Sequence, residues 1–346
     1  VFVGRNRQNL LRRGKPLRIS PLRRLKMPSG PFEYLYGPVP SRRLGRSLGI
    51  DLVPHKTCTY DCIYCQLGNT THKTVERRDY VPVEGVLSEL KEKLAAGVSC
   101  DYITLAGSGE PTLHASLGEL IRKIKEMTEI PVSVITNGSL LELPEVREAL
   151  FRADLVVPSL DAGDPAMFEY VNRPHRDIVF ERMIEGLVTF GKRYPGRLWM
   201  EVLLVSGVTG LASEVKKIAS WIEKFPVEKI QLNTVNRPSY EDFACAVDPK
   251  QMKTLAGLFA GAVEILENAP PTVGASETTS DTTDADICNL LARRPCTLEG
   301  VALGLSLHPH DAAKRLEKLL AGKNIITQRN GRTVFYKLPG GNVQER

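Results

Sequence analysis

Three cysteines fall within eight residues, Cys58, Cys62 and Cys65, in the run CTYDCIYC. Three thiolates on one short loop can converge on three irons of a cubane iron–sulfur cluster. The fourth iron is then left without a protein ligand, which makes it a place to bind and polarise a small molecule. Zinc is the competing ligand. It prefers four soft or imidazole donors in two separated pairs, and no second CxxC pair or nearby His-x-His completes such a set. His55 and His72 lie close in sequence, but a lone histidine is more often a surface or packing residue. The remaining cysteines, Cys100, Cys245, Cys288 and Cys296, read as small apolar side chains.

Further polar residues recur where short apolar runs end. Ser108-Gly109-Glu110-Pro111 follows one run, Thr136-Asn137-Gly138 the next, and Ser159-Leu160-Asp161 the one after. Each has an ordinary reading as a turn, because Gly, Pro, Asn and Asp are turn formers. Glu201, Gln231 and Asn233 interrupt otherwise apolar runs and are expected to point into a polar cavity in place of packed core, with substrate contact or a structural hydrogen bond as their role.

The cysteine spacing, with the aromatic Tyr64 just before the last thiol, resembles that of the radical S-adenosylmethionine enzymes, over roughly residues 34–265. The resemblance implies a [4Fe–4S] cluster on Cys58, Cys62 and Cys65, with S-adenosylmethionine chelated to the unique iron. One electron would split the sulfonium to give a 5′-deoxyadenosyl radical that abstracts hydrogen. SGEP looks like the family's GGEP segment, with Ser108 in place of the first glycine, so Gly109 and Glu110 are expected to hold the ligand's ammonium. A charge-assisted hydrogen bond suits that task. Asn137, Ser159 and Asp161 would contact its ribose and carboxylate, and Tyr64 and Glu201 complete the expected cofactor-binding set. An electron donor such as flavodoxin or ferredoxin is implied, and no residue is identified as a catalytic acid or base.

Within that family, YGPVPSRRLG, CTYDCIYCQLGNT, SGEPTLH and QLNTVNRP are most similar to a prokaryotic branch distantly related to the wyosine-base synthases of tRNA. Those enzymes carry extra cysteines upstream of the radical motif, whereas this chain has none before Cys58. Three classes of function follow: RNA modification, peptide modification or glycyl-radical activation, and redox sensing by the cluster alone.

A βα rhythm must position these groups. Runs 49–53, 102–106, 132–136, 155–160, 200–205 and 229–234 read as strands, and 83–94, 179–190 and 213–225 as amphipathic helices. The expected fold is α/β with a parallel sheet, either closed in part or open. The resemblance selects a partial (β/α)6 barrel. The Gly-, Pro- and Arg-rich stretch 36–46 reads as an ordered loop entering the first strand. Residues 268–284, rich in Pro, Ser and Thr, read as a linker. After it, runs 285–292, 297–305 and 309–320 read as helices, and 324–327 and 333–338 as strands about the turn Asn330-Gly331, the order of a winged helix. The expected division is a basic arm over 1–33, a radical body over 34–267, the linker, and a winged-helix domain over 285–340.

Charge follows the same division. Residues 1–26 hold nine Arg or Lys and no acid, and 285–346 hold ten bases against five acids, leaving the middle acidic although the whole chain is +6. Residues 1–26 read either as a basic arm or as sequence upstream of a start at Met27. Lys314, Arg315, Lys318, Arg329 and Arg332 would let the winged helix meet RNA or a polypeptide. No apolar run approaches the ~18 residues of a membrane span. The odd count of seven cysteines, three of them crowded together, fits a reducing, cytoplasmic setting.

Overall fold

The computed structural model describes residues 32–266, 282–331 and 333–339. The expected basic arm up to residue 31, the linker over 268–281 and Arg332 therefore lie outside the described residues.

The described residues open with a hairpin, β1 (Leu35–Ser41) and β2 (Gly45–Ile50). Two short strands follow, β3 (Thr57–Cys58) and β4 (His72–Lys73). Then come α1 (Val83–Ala95), β5 (Tyr102–Leu105), α2 (Leu117–Met127), β6 (Val132–Thr136), α3 (Pro144–Leu150) and β7 (Leu155–Pro158). After these lie α4 (Pro165–Val171), α5 (Phe180–Arg193), β8 (Arg197–Leu204), α6 (Ala212–Ile222), β9 (Lys229–Thr234), α7 (Pro249–Ala256) and β10 (Val263–Ile265). The main sheet has eight strands in the order β1-β2-β5-β6-β7-β8-β9-β10. All pairings from β2 to β10 are parallel, and only β1 runs antiparallel to its neighbour.

Two strands of the main sheet, like the short β3 and β4 outside it, were not expected. Stretch 36–46, expected as a loop, forms most of the β1–β2 hairpin. Pro38 and Pro40 lack a ladder donor, but β1 is the sheet's edge, where that costs nothing on its free side. Strand β10 is only three residues long, and its parallel pairing with β9 gives no turn signal to read.

Helix faces follow from apolar spacing. In α2, Leu117, Leu120, Ile121 and Ile124 form a fully buried stripe, while Arg122, Lys123 and Glu126 face outward. Val86 and Leu90 of α1 and Val215 and Ile218 of α6 join the same core with Leu48, Ile103, Val134 and Val202 of the sheet. These strand residues share one face of the sheet, which the helices cover, while the opposite face carries the hydroxyl chain of Ser47, Thr104 and Ser133 and a separate apolar group of Leu44, Leu155, Val157 and Trp199.

A second group of elements comprises α8 (Asp284–Arg293), α9 (Leu298–Gly304), α10 (Pro309–Ala321) and the hairpin β11 (Ile326–Asn330)–β12 (Thr333–Lys337). Thr283 and Asp286 form a capping box that starts α8. Ile287, Leu291, Val301, Leu316 and Ile325 make its core, and Val39 and Tyr36 of β1 pack into it. Arg293 reaches back to Asp51 at 3.9 Å and lies over the Tyr36 ring. Among the described residues no helix is long and apolar enough to cross a membrane.

Gly49 lies beneath the Tyr36 ring, where an added Cβ would come within 2.0 Å of ring carbon. Gly49→Ala is therefore expected to lower stability by about 1–3 kcal/mol through overpacking, read as an earlier urea midpoint with an unchanged slope.

Candidate functional site

The thiols sit on the loop between β2 and α1, at the end of the sheet where the parallel strands finish. Cys58 ends β3, which pairs with β4 and so folds the loop back on itself. The Thr70 amide donates to Asp61 Oδ1 at 2.6 Å and its hydroxyl to the Tyr60 carbonyl at 2.7 Å, closing the loop's neck. Ile63, between Cys62 and Cys65, plugs an apolar pocket made by Val171, Val205, Val235 and Ala244. An apolar side chain between two of the thiols thus anchors the loop.

Each sulfur meets a nitrogen donor. Asn137 Nδ2 lies 3.6 Å from Cys58 Sγ, Asn172 Nδ2 3.5 Å from Cys62 Sγ, and Lys56 Nζ 3.1 Å from Cys65 Sγ. Burial pushes the Cys58 thiol up to about 12, and the charge of Glu110 adds to that. Burial also raises Cys62, helped by Cys58 and Cys65. Two thiols that resist deprotonation, Cys58 and Cys62, on a loop whose three sulfurs are each offered a donor suited to anionic sulfur, fit a group that brings its own positive charge. Among the described residues no three His, Cys, Asp or Glu side chains close on a single metal ion.

Glu110 is 2% exposed and collects donors from the ends of two strands, β5 and β6. Oε1 accepts from the Thr112 amide at 3.0 Å and from the hydroxyls of Thr112 and Thr136 at 2.6 and 2.7 Å. Oε2 accepts from the Asn137 amide at 2.8 Å. Asn137 passes this order to the thiol loop through a 2.7 Å bond to Thr59 Oγ1. Burial raises the Glu110 carboxyl while these hydrogen bonds pull it down. Gly109 has a steric duty: a Cβ there would lie 1.8 Å from the Thr57 carbonyl oxygen, so the strand end can approach the loop only without a side chain.

A second polar chain borders Cys62. The Tyr64 hydroxyl donates to Asp161 Oδ2, and Asn172 Nδ2 reaches the same oxygen at 3.2 Å. Asp161 Oδ1 accepts from the Leu203 amide at 2.8 Å. Burial lifts the Asp161 carboxyl to about 6 against the pull of these bonds. Ser159 bridges to Glu201 through the backbone, but the Glu201 carboxylate is taken by Arg43 and by Asn233 Nδ2 at 2.9 Å.

The structure thus gathers Tyr64, Gly109, Glu110, Asn137 and Asp161 about the three thiols, whereas the side chain of Glu201 turns toward an arginine. Lys56 and Asn172 escaped the sequence reading. Lys56 carried a signal in standing two residues before Cys58, and it adopts a left-handed backbone with φ of 59°. Asn172, the C-cap of α4 and 110 residues beyond Cys62, carried none.

Residues 52–222 match the family model described as the radical SAM superfamily. The chain is 36% identical over 307 residues to a UPF0026 protein of Helicobacter pylori, covering 87% of this chain and 96% of that one. It is also 39% identical over 287 residues to a protein of Brachyspira hyodysenteriae named GTPase Obg, covering 83% of this chain but spanning only 42% of that protein's length. Among solved structures, a radical SAM methyltransferase from Sphaerobacter thermophilus is loosely similar, with 15% identity, a TM-score of 0.48, and coverage of 63% of this chain and 65% of that one.

Glu110→Ala would leave four donors without their acceptor. It is expected to cost about 2–3 kcal/mol of stability, with Glu110→Gln costing less, as read from urea midpoints.

Proposed function

The chain belongs to the UPF0026 family and is an enzyme of the radical SAM type, and on that premise we propose that Cys58, Cys62 and Cys65 hold a [4Fe–4S] cluster with S-adenosylmethionine at its open iron. The observation that carries this reading is the one nitrogen donor beside each partly buried thiol. When bound, the reduced cluster supplies the electron that splits S-adenosylmethionine into methionine and a 5′-deoxyadenosyl radical able to take hydrogen from a substrate.

The chain's own residues bind and orient. Lys56, Asn137 and Asn172 would hold the sulfurs in their ionised state, and such bonds also tune a cluster's reduction potential. Glu110 would set the negative pole for the ligand's ammonium while fixing Asn137. Tyr64, Ser159 and Asp161 would line the side facing its ribose and carboxylate, with Glu201 at the far edge. Tyr60 and Ile63, both buried, seat the loop against the body of the protein.

We take the parallel strands as the partial barrel implied by the cysteine motif, within a body over 34–267. We read α8 to α10 with β11 and β12 as a winged-helix domain over 285–340. Flavodoxin or ferredoxin is the natural class of electron donor.

Anaerobic reconstitution with iron and sulfide, followed by dithionite and S-adenosylmethionine, tests the reading by mass spectrometry of 5′-deoxyadenosine. Wild-type protein is expected to form it and Cys62→Ala to lose it. Equal yields from both proteins would sink the proposal.

A further inference from the structure

Beside the thiol loop lies a concentration of positive charge that the reading above does not use. Arg42 and Arg43 stand on the turn between β1 and β2, Arg237 on the loop after β9, and Arg294 just past the end of α8. All four are partly buried. The second group of elements therefore contributes one cation to a site made mainly by the sheet.

Partners are few. Arg43 Nη2 donates to Glu201, Arg42 Nη2 to Asn233 Oδ1 at 3.3 Å, and Arg237 Nη1 to Gln66 Oε1 at 2.9 Å. Only one of those acceptors is charged. Arg42 Nη1, Arg43 Nε and Arg294 Nε are buried without any hydrogen-bond partner. Glu264, the next carboxylate along, is occupied by Lys229 at 3.0 Å and Gln231 at 2.8 Å.

The guanidiniums also lie close enough to oppose one another. Burial lowers Arg42 to about 10, with Arg43 adding to it, and burial lowers Arg237, with Arg294, Arg42 and Arg43 adding. Four guanidiniums against Glu201 and an already paired Glu264, with three of their nitrogens buried and unpartnered, are costly to keep unless something anionic completes them. Planar forks suit several oxygens on one centre, which describes phosphate better than a lone carboxylate.

We propose that this cluster binds the phosphate or diphosphate group of a small phosphorylated substrate and so sets that substrate beside the thiol loop. The inference rests on the proposed radical chemistry for its purpose, because Gln66, the partner of Arg237, directly follows Cys65. A compact anion fits better than a nucleic-acid strand. Strands are tracked by exposed basic grooves with stacking aromatics, whereas these arginines are partly buried and converge.

The test needs neither cluster nor S-adenosylmethionine, so its failure is distinct from failure of the radical reading. Inorganic pyrophosphate, acetate and a single-stranded RNA oligomer are titrated calorimetrically into the full chain, wild type and the variants Arg237→Gln, Arg294→Gln and Arg294→Lys. Saturable pyrophosphate binding is expected, well above acetate and not displaced by RNA, and weakened about 10- to 100-fold in each Gln variant. Arg294→Lys, which keeps the charge but loses the fork, should lie between. Far-UV circular dichroism confirms that each variant is folded, and pyrophosphate should raise the wild-type melting temperature. Equal affinity in wild type and folded Gln variants overturns the proposal, as does wild-type binding no tighter than for acetate. Tight RNA binding that pyrophosphate fails to compete would assign the cluster to a nucleic-acid strand and equally overturn it.

Discussion

The arrangement of the site hangs on one buried carboxylate. Glu110 takes hydrogen bonds from Thr112, Thr136 and the Asn137 amide, and its own amide donates to the Thr57 carbonyl at 3.1 Å. The ends of β5 and β6 and the base of the thiol loop are thereby fixed to a single point. Polar atoms at the ends of parallel strands cannot all be satisfied by the sheet ladder, and a carboxylate that accepts from several of them is an efficient way to close the account. Gly109 makes this possible by letting backbone meet backbone. Once the loop base is fixed, Asn137 falls beside Cys58, and Ile63 can seat in its apolar pocket.

Much of this was legible in the sequence, because the informative residues are local. The thiol spacing lies within one loop, and SGEP, TNG and SLD each follow a short apolar run that proves to be a strand end. The βα alternation located β5, β6 and β9 closely, since runs such as Val132–Thr136 are bounded by Pro and Asn. The order of α8 to α10 and the hairpin about Asn330-Gly331 was also visible. What escaped depends on tertiary neighbours. Asn172 acquires its place beside Cys62 only because α4 folds against the loop, and the β1 strand is masked by Pro38 and Pro40, which an edge tolerates. Glu201 was read as facing a polar cavity, but no periodicity could tell that the cavity would hold Arg43.

Two opposed electrostatic poles emerge from that folding. The thiol side is rich in groups that resist negative charge when buried, with Cys58 and Cys62 both raised, and it calls for a cation. The arginine side has cations with few partners and calls for an anion. Glu201 and Gln66 stand between them. The second group of elements, by adding Arg294 and by packing on Tyr36, closes the arginine side and ties its own placement to the geometry of the sheet.

An open iron beside three protein thiolates is the central claim, and electron paramagnetic resonance of the dithionite-reduced, reconstituted protein tests it most directly. Addition of S-adenosylmethionine is expected to shift the g-values of the reduced cluster, because its amino and carboxylate groups would ligate the fourth iron. A spectrum that does not change on addition, at concentrations that saturate binding, would contradict the account.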